Sequence, residues 1–139
     1  MKNSLLFAFI FLSVIVLFSC KTGSGRKMSV DAGIEFMDTL IEFGQIKFGG
    51  DGDREFVFTN TGEAPLLLTH VRSTCGCTIP EWSKEPVNPG DTGRIKVIYD
   101  THRVGRFRKS VYVYSNAKQG PRRLFIGGDV LEPVRLNNQ

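Results

Sequence analysis

Histidine and cysteine are scarce in this chain, with two of the first and three of the second among 139 residues. That scarcity excludes a scaffold of several disulfides and a closed zinc site made from two cysteine pairs. An excess of charge of one sign is also nearly missing, because 18 Lys and Arg against 14 Asp and Glu leave a formal net charge of +4. So mild an excess aids solubility and can favour anionic surfaces. With no recognition helix and no aromatic-basic reading motif, it does not indicate a nucleic-acid partner. No nucleophile–base pairing, paired-carboxylate signature or cofactor loop stands out, so the sequence does not read as an enzyme and no cofactor is expected. Long helix-forming runs are lacking, and no apolar run reaches the roughly 20 residues that span a bilayer.

What is present begins with a targeting pattern. Lys2 and the polar Asn3-Ser4 precede Leu5 to Phe18, which is apolar apart from Ser13. A run of roughly 14 residues fits the apolar region of a signal peptide better than a permanent membrane helix. It ends in Leu17-Phe18-Ser19-Cys20, which resembles the lipobox of bacterial lipoproteins, with Phe18 bulkier than the usual occupant of its place. That resemblance implies a signal peptide over 1–19 and, on Cys20, a diacylglycerol thioether and an acylated amine. The membrane is then a partner through lipid, and two or three chains hold firmly because each buried methylene contributes about 0.8 kcal/mol. Residues 20–38, polar and rich in small side chains from Lys21 to Lys27, are expected to form a tether. No acidic residue directly follows Cys20, as it does in some surface-exported lipoproteins, so the expected location is the bacterial cell envelope, facing the periplasm.

From Thr39 onward, short alternating segments are separated by turn signals. Ile41 and Phe43 flank Glu42; Phe56 and Phe58 share a face; Leu66 to Val71 is a more continuous apolar run, expected to be a strand with both faces partly covered. Pro89-Gly90-Asp91 is a strong turn, since proline presets one central angle and glycine accepts the positive one. Ile95, Val97 and Tyr99 alternate with Arg94 and Lys96, Val111 and Val113 repeat the pattern, and Leu124 and Ile126 end it. The pattern predicts an all-β domain over 39–131, an immunoglobulin-like β-sandwich of about seven strands, followed by a polar tail over 132–139.

With Cys20 assigned to lipid, two cysteines remain, in Cys75-Gly76-Cys77. On a strand, residues two apart have Cα atoms about 6.5 Å from each other, wider than a disulfide prefers, so a bridge requires the chain to bend at Gly76. Such a ring would be strained and relatively easy to reduce. Three readings stand side by side: a structural pair at a bend; a copper or zinc site formed by Cys75 and Cys77, with His70 as a possible third ligand; and thiol exchange with a partner. Against the last, no Cys-x-x-Cys opens a helix. His102 sits in a turn and reads as a turn residue. Trp82 reads as core or loop packing, with partner binding as the lesser reading. Arg103, Arg106, Arg108 and Lys109, with Arg122 and Arg123, read as a solvated, edge-protecting face or as an anionic-surface site.

The string Phe58-Thr59-Asn60-Thr61-Gly62, then Pro65-Leu66, Ser73-Thr74-Cys75-Gly76-Cys77-Thr78, Pro89-Gly90, Ile95-Lys96-Val97 and Ser115-Asn116 resembles the bacterial domain of unknown function 1573. The resemblance runs from about Ile41 to Val130, and Cys-Gly-Cys-Thr is its most specific part. It implies a sandwich similar to major-sperm-protein and PapD-like domains, often found in lipoproteins, and no established activity. The function expected is a non-enzymatic envelope binding or scaffolding module with an envelope protein as partner. The alternative is a periplasmic thiol-exchange or copper/zinc-handling protein using Cys75 and Cys77.

Overall fold

The computed structural model describes residues 30–133; the expected signal peptide, Cys20, the expected tether as far as residue 29 and the tail from 134 lie outside the described residues. Eight strands form two four-stranded sheets, with no helix among the described residues. The first sheet holds, in spatial order, β1 (Glu35–Phe36), β3 (Asp53–Thr59), β6 (Thr92–Tyr99) and β5 (Thr78–Trp82). The second holds β2 (Leu40–Ile46), β8 (Arg122–Val130), β7 (Gly105–Ser115) and β4 (Leu68–Ser73). All pairs are antiparallel except β2 with β8.

Alternation along the strands builds the core, because a strand turns successive side chains to opposite faces. Phe56 and Phe58 from β3, Ile95, Val97 and Tyr99 from β6, Val111 and Val113 from β7, and Leu124 and Ile126 from β8 are all buried. Tyr99 of the first sheet stacks on Phe107 of the second, with ring centroids 3.6 Å apart. Asn88–Asp91 closes as expected: Asp91 N–H donates to Asn88 C=O at 3.0 Å, and Gly90 takes φ 81° after Pro89. That is a type II turn, in which the third residue needs a positive φ.

The structure corrects the strand reading in three places. Eight strands stand where about seven were expected, because Thr78–Trp82, interrupted by Pro80, pairs as the edge strand β5, and a two-residue strand precedes β2. Proline lacks the N–H of a central strand but is tolerated on an edge. The run Leu66 to Val71 is not one doubly covered strand. Leu66 makes an isolated bridge to Val87, and a register shift between Leu68 and His70 lets Leu68 and Val71 both face inward while Thr69 and His70 are exposed.

The third correction concerns the domain boundary, because the sandwich takes in residues expected in the tether. Ala32, Ile34 and Phe36 are buried, and Phe36 packs on Phe58 at 5.7 Å between centroids. Gly62 admits this segment: a Cβ there would lie 2.2 Å from Asp31 C=O and 2.3 Å from Gly33 N. Ile34-Glu35-Phe36 and Ile41-Glu42-Phe43 look alike in sequence, but their strands join opposite sheets. At the same end, the Asn60 side chain is fully buried and fully bonded. Its amide donates to Ala64 C=O at 2.8 Å and Val87 C=O at 2.9 Å, and its carbonyl accepts from Gly33 and Gly62 N–H.

Candidate functional site

The Cys-Gly-Cys element stands where the chain leaves the second sheet for the first. After β4 only Thr74 to Cys77 separate it from β5, so four residues carry the chain around the sandwich edge. Cys75 and Cys77 are joined as a disulfide with Cα atoms 5.3 Å apart, closer than the straight-strand spacing, so the chain bends here. The bend does not need a left-handed glycine. Gly76 is exposed, is not among the positive-φ glycines, and a Cβ on it would meet nothing within 4 Å.

Hydroxyls fasten the corner from beneath. Ser73 Oγ donates to Thr78 C=O at 2.8 Å and also lies against Cys75 C=O. Thr74 N–H donates to Ser110 C=O at 3.0 Å, which ties the corner to β7. Asp100 N–H donates to Cys77 C=O at 2.9 Å, which ties it to the end of β6. Cys77 is 4 % exposed and packs in the core, while Cys75 is half-buried with its Sγ 3.8 Å from Thr78 Oγ1. A reagent approaching from solvent therefore meets Cys75 first.

His70 is not brought to the cysteines. It stands on the outer face of β4, its ring 6.3 Å from Trp82 and 6.0 Å from Tyr114 between centroids. Trp82 is half-buried, reaches Leu68 C=O with Nε1 at 3.4 Å, and carries Lys84 Nζ 3.3 Å above its ring. As disulfide sulfurs, Cys75 and Cys77 carry no thiolate. Among the described residues, no three His, Cys, Asp or Glu side chains are grouped so as to hold a metal ion. His102 is a turn residue: its N–H donates to Asp100 Oδ1 at 3.1 Å. That backbone bond, with Arg103 and the His102 ring, holds the Asp100 carboxyl below its ordinary range against a smaller desolvation effect.

The basic residues separate into two sets. Arg103 pairs with Asp100 at 3.2 Å, and the highly exposed Arg106 lies 3.7 Å from Asp129. Arg108 and Arg123 instead lie against Phe125, at 5.5 and 4.8 Å from its centroid. Arg123 and Arg72 both approach the Tyr112 ring, at 5.5 and 5.1 Å. Sequence reading missed Arg72, Tyr112, Tyr114 and Phe125 as members of one surface, although their outward register could have been read from the alternation of β4, β7 and β8.

A protein from Porphyromonas gingivalis W83, of unknown function, has a similar structure, with a TM-score of 0.65 and 16% identity over 76% of this chain and 51% of that one. The chain thus spans about half the length of that protein. The ASH/PapD-like domain of human CEP192 superposes with a TM-score of 0.63 and 11% identity, covering 75% of this chain and 89% of that domain. The CsuC–CsuE chaperone–tip adhesion subunit pre-assembly complex of Acinetobacter baumannii also contains a similar chain, with a TM-score of 0.52 and 9% identity over 71% of this chain and 57% of that one. At such identities the likeness is one of fold, and the fold is the immunoglobulin-type, PapD-like sandwich. No curated protein matches the chain. The model of a family described as "Protein of unknown function (DUF1573)" matches residues 34–130, which begin just before β1 and end with β8, and the chain belongs to that family.

Proposed function

We propose that this protein is a lipid-anchored envelope lipoprotein whose sandwich is a non-enzymatic binding or scaffolding module. The observation that carries the reading is where its charged side chains stand, none of them buried among the described residues. They lie on open sheet faces and turns, and the grooves between them are open to solvent among the described residues. A rigid two-sheet body with a displayed surface suits docking, and the similar chain in the chaperone–adhesion subunit complex is one such body engaged with a partner. The lipobox ending at Cys20 supports the anchor. The anchor is tested by palmitate labelling of the wild type against Cys20→Ala; label in both, or in neither, overturns it. The module is tested by affinity capture from envelope extracts with the detergent-solubilised protein. Reproducible recovery of a defined partner is expected, and repeated recovery of none overturns the reading.

The half-buried Cys75 favours a second reading, thiol exchange or copper/zinc handling after reduction of the Cys75–Cys77 bridge. Under that reading, Cys75→Ser/Cys77→Ser abolishes exchange or metal uptake while the domain stays folded. Thiols that remain blocked to alkylation and inert to metal after mild reduction remove it.

A further inference from the structure

The two outer sheet faces treat their cations differently. On the first sheet, Arg94 pairs with Glu55 at 2.8 Å and Lys96 with Asp53 at 2.7 Å, across the β3–β6 ladder. Both cations of that ladder are therefore paired, and Glu81 stands opposite Lys96 as a further carboxylate. On the second sheet, Arg72, Arg108 and Arg123 are exposed and make no ion pair among the described residues. Their guanidiniums are held by rings and hydroxyls instead.

Register explains how they come into one row. Arg72 of β4 is the cross-strand partner of Tyr112 in β7, which is in turn the partner of Arg123 in β8. Two strands apart, the two arginines have Cα atoms roughly 10 Å from each other across the sheet. Tyr112 lies between them, and Phe125, two residues on from Arg123, continues the row to Arg108. Arg72 Nε and Nη2 donate to Tyr114 Oη at 3.2 and 3.1 Å. Arg123 Nε and Nη2 donate to Ser110 Oγ at 3.1 and 2.9 Å. A guanidinium has five N–H donors, so each arginine is oriented by one edge and retains donors on the other.

We propose that this row on the outer face of the second sheet is a docking surface for an anionic polysaccharide, with Arg72, Arg123 and Arg108 receiving its acidic groups. The inference rests on the reading of the protein as an envelope binding module and names a ligand class for it. Charge complementarity requires an anion, since Arg72 and Arg123, oriented by hydroxyls, and Arg108, lying against Phe125, are in no ion pair among the described residues. The shape of the patch selects a chain rather than a membrane plane. Beyond Arg108 the excess of positive charge ends, with Glu42 lying over Gly127 and Asp129 offsetting Arg106, so the positive row is a strip with an end. Hydrogen-bond chemistry selects a glycan over a peptide. The row presents guanidinium donors beside the Tyr112 and Tyr114 hydroxyls, which both donate and accept, a set matched to the closely spaced carboxylates and hydroxyls of an acidic sugar chain. It also crosses the strands rather than running along an edge, so strand addition is not available to a peptide there.

The test is titration of a fluorescently labelled polygalacturonate with the full-length protein in non-ionic detergent, read by anisotropy. Binding that weakens with added salt is expected. Arg72→Ala/Arg123→Ala is expected to weaken it roughly tenfold or more, whereas Arg94→Ala/Lys96→Ala on the opposite face leaves it within about twofold. Arg72→Gln/Arg123→Gln serves the same purpose if the alanine variant does not keep its circular dichroism. Absence of binding overturns the proposal, and so does equal loss from both pairs of substitutions, which would mean unspecific charge attraction. Equal or tighter binding to polyglutamate overturns it in favour of an acidic polypeptide. Arginine-dependent binding only to vesicles of anionic phospholipid overturns it in favour of the bilayer. If polygalacturonate does not bind while a protein partner is captured independently of these arginines, this proposal fails and the binding-module reading stands.

Discussion

At the scale of single residues, Asn60 does more than its sequence context suggests. It occupies a turn-like string, yet its side chain is 0 % exposed and joins three segments: the entering chain at Gly33, its own loop at Gly62 and Ala64, and Val87 before β6. A buried amide whose donors and acceptor are all used is costly to remove, because its former partners stay buried and unbonded. Asn60→Ala is expected to cost about 3 kcal/mol, seen as a lower urea midpoint at unchanged slope. Asn60→Asp, which keeps the acceptor and loses the donors, should also destabilise. A midpoint unchanged in both variants would show that Asn60 does not hold this end together. The sequence showed Asn60 as polar and next to glycine. It could not show that residues 27 positions away on either side return to it.

At the scale of elements, the β4–β5 corner raises the question of what its disulfide contributes. A bridge between residues two apart closes a very short loop, so it restricts the unfolded chain little. Loop-closure entropy puts its contribution at about 1.5 kcal/mol. The corner has other fasteners in Ser73, Thr74 and the Asp100 N–H. The reduced protein and Cys75→Ser/Cys77→Ser are therefore expected to remain folded, with Tm lower by roughly 5–12 °C, measured by thermal circular dichroism with and without reductant. Loss of the native spectrum on reduction would show that the bridge, rather than the hydroxyl network, sets the corner. Stability this modest leaves room for the thiols to cycle without unfolding the sandwich, which the thiol-exchange reading requires.

At the scale of the whole molecule, the entering segment belongs to the fold. Ala32, Ile34 and Phe36 pack into the common core, and β1 pairs with β3 through Glu35 and Phe36. A version beginning at Thr39 loses two large buried side chains and uncovers Phe58, with an expected loss of about 4–6 kcal/mol from large core deletions. A version beginning at Val30 should keep the full-length unfolding midpoint. Equal midpoints for both would place the domain boundary at Thr39 after all. Such a loss is comparable to the net stability of many small domains, so the shorter version is expected to be largely unfolded or aggregated.

Strand periodicity made much of the fold legible. Phe56 and Phe58, Ile95, Val97 and Tyr99, Val111 and Val113, and Leu124 and Ile126 alternate cleanly, and all face inward as read. Pro89-Gly90 encodes its turn in two residues. Where alternation is broken, it misled. Leu68 and Val71 are three apart yet share a face because the register shifts between them, and β5 is disguised by Pro80 on an edge. The sequence isolated Cys75-Gly76-Cys77 as the local feature with thiol chemistry. It did not show that His70 turns away from those cysteines towards Trp82 and Tyr114.

By itself, then, the sequence determined which side chains of the regularly alternating strands face inward, where Pro89-Gly90 turns the chain and which family it resembles, since these depend on neighbours within a few positions. The tertiary structure alone decided that β1 and β2 part to opposite sheets, that Asn60 closes one end, and that Arg72, Tyr112 and Arg123 stand in one row. Those relations depend on strand order and register between segments distant in the chain. A period of two residues encodes the face of a strand but not its neighbour.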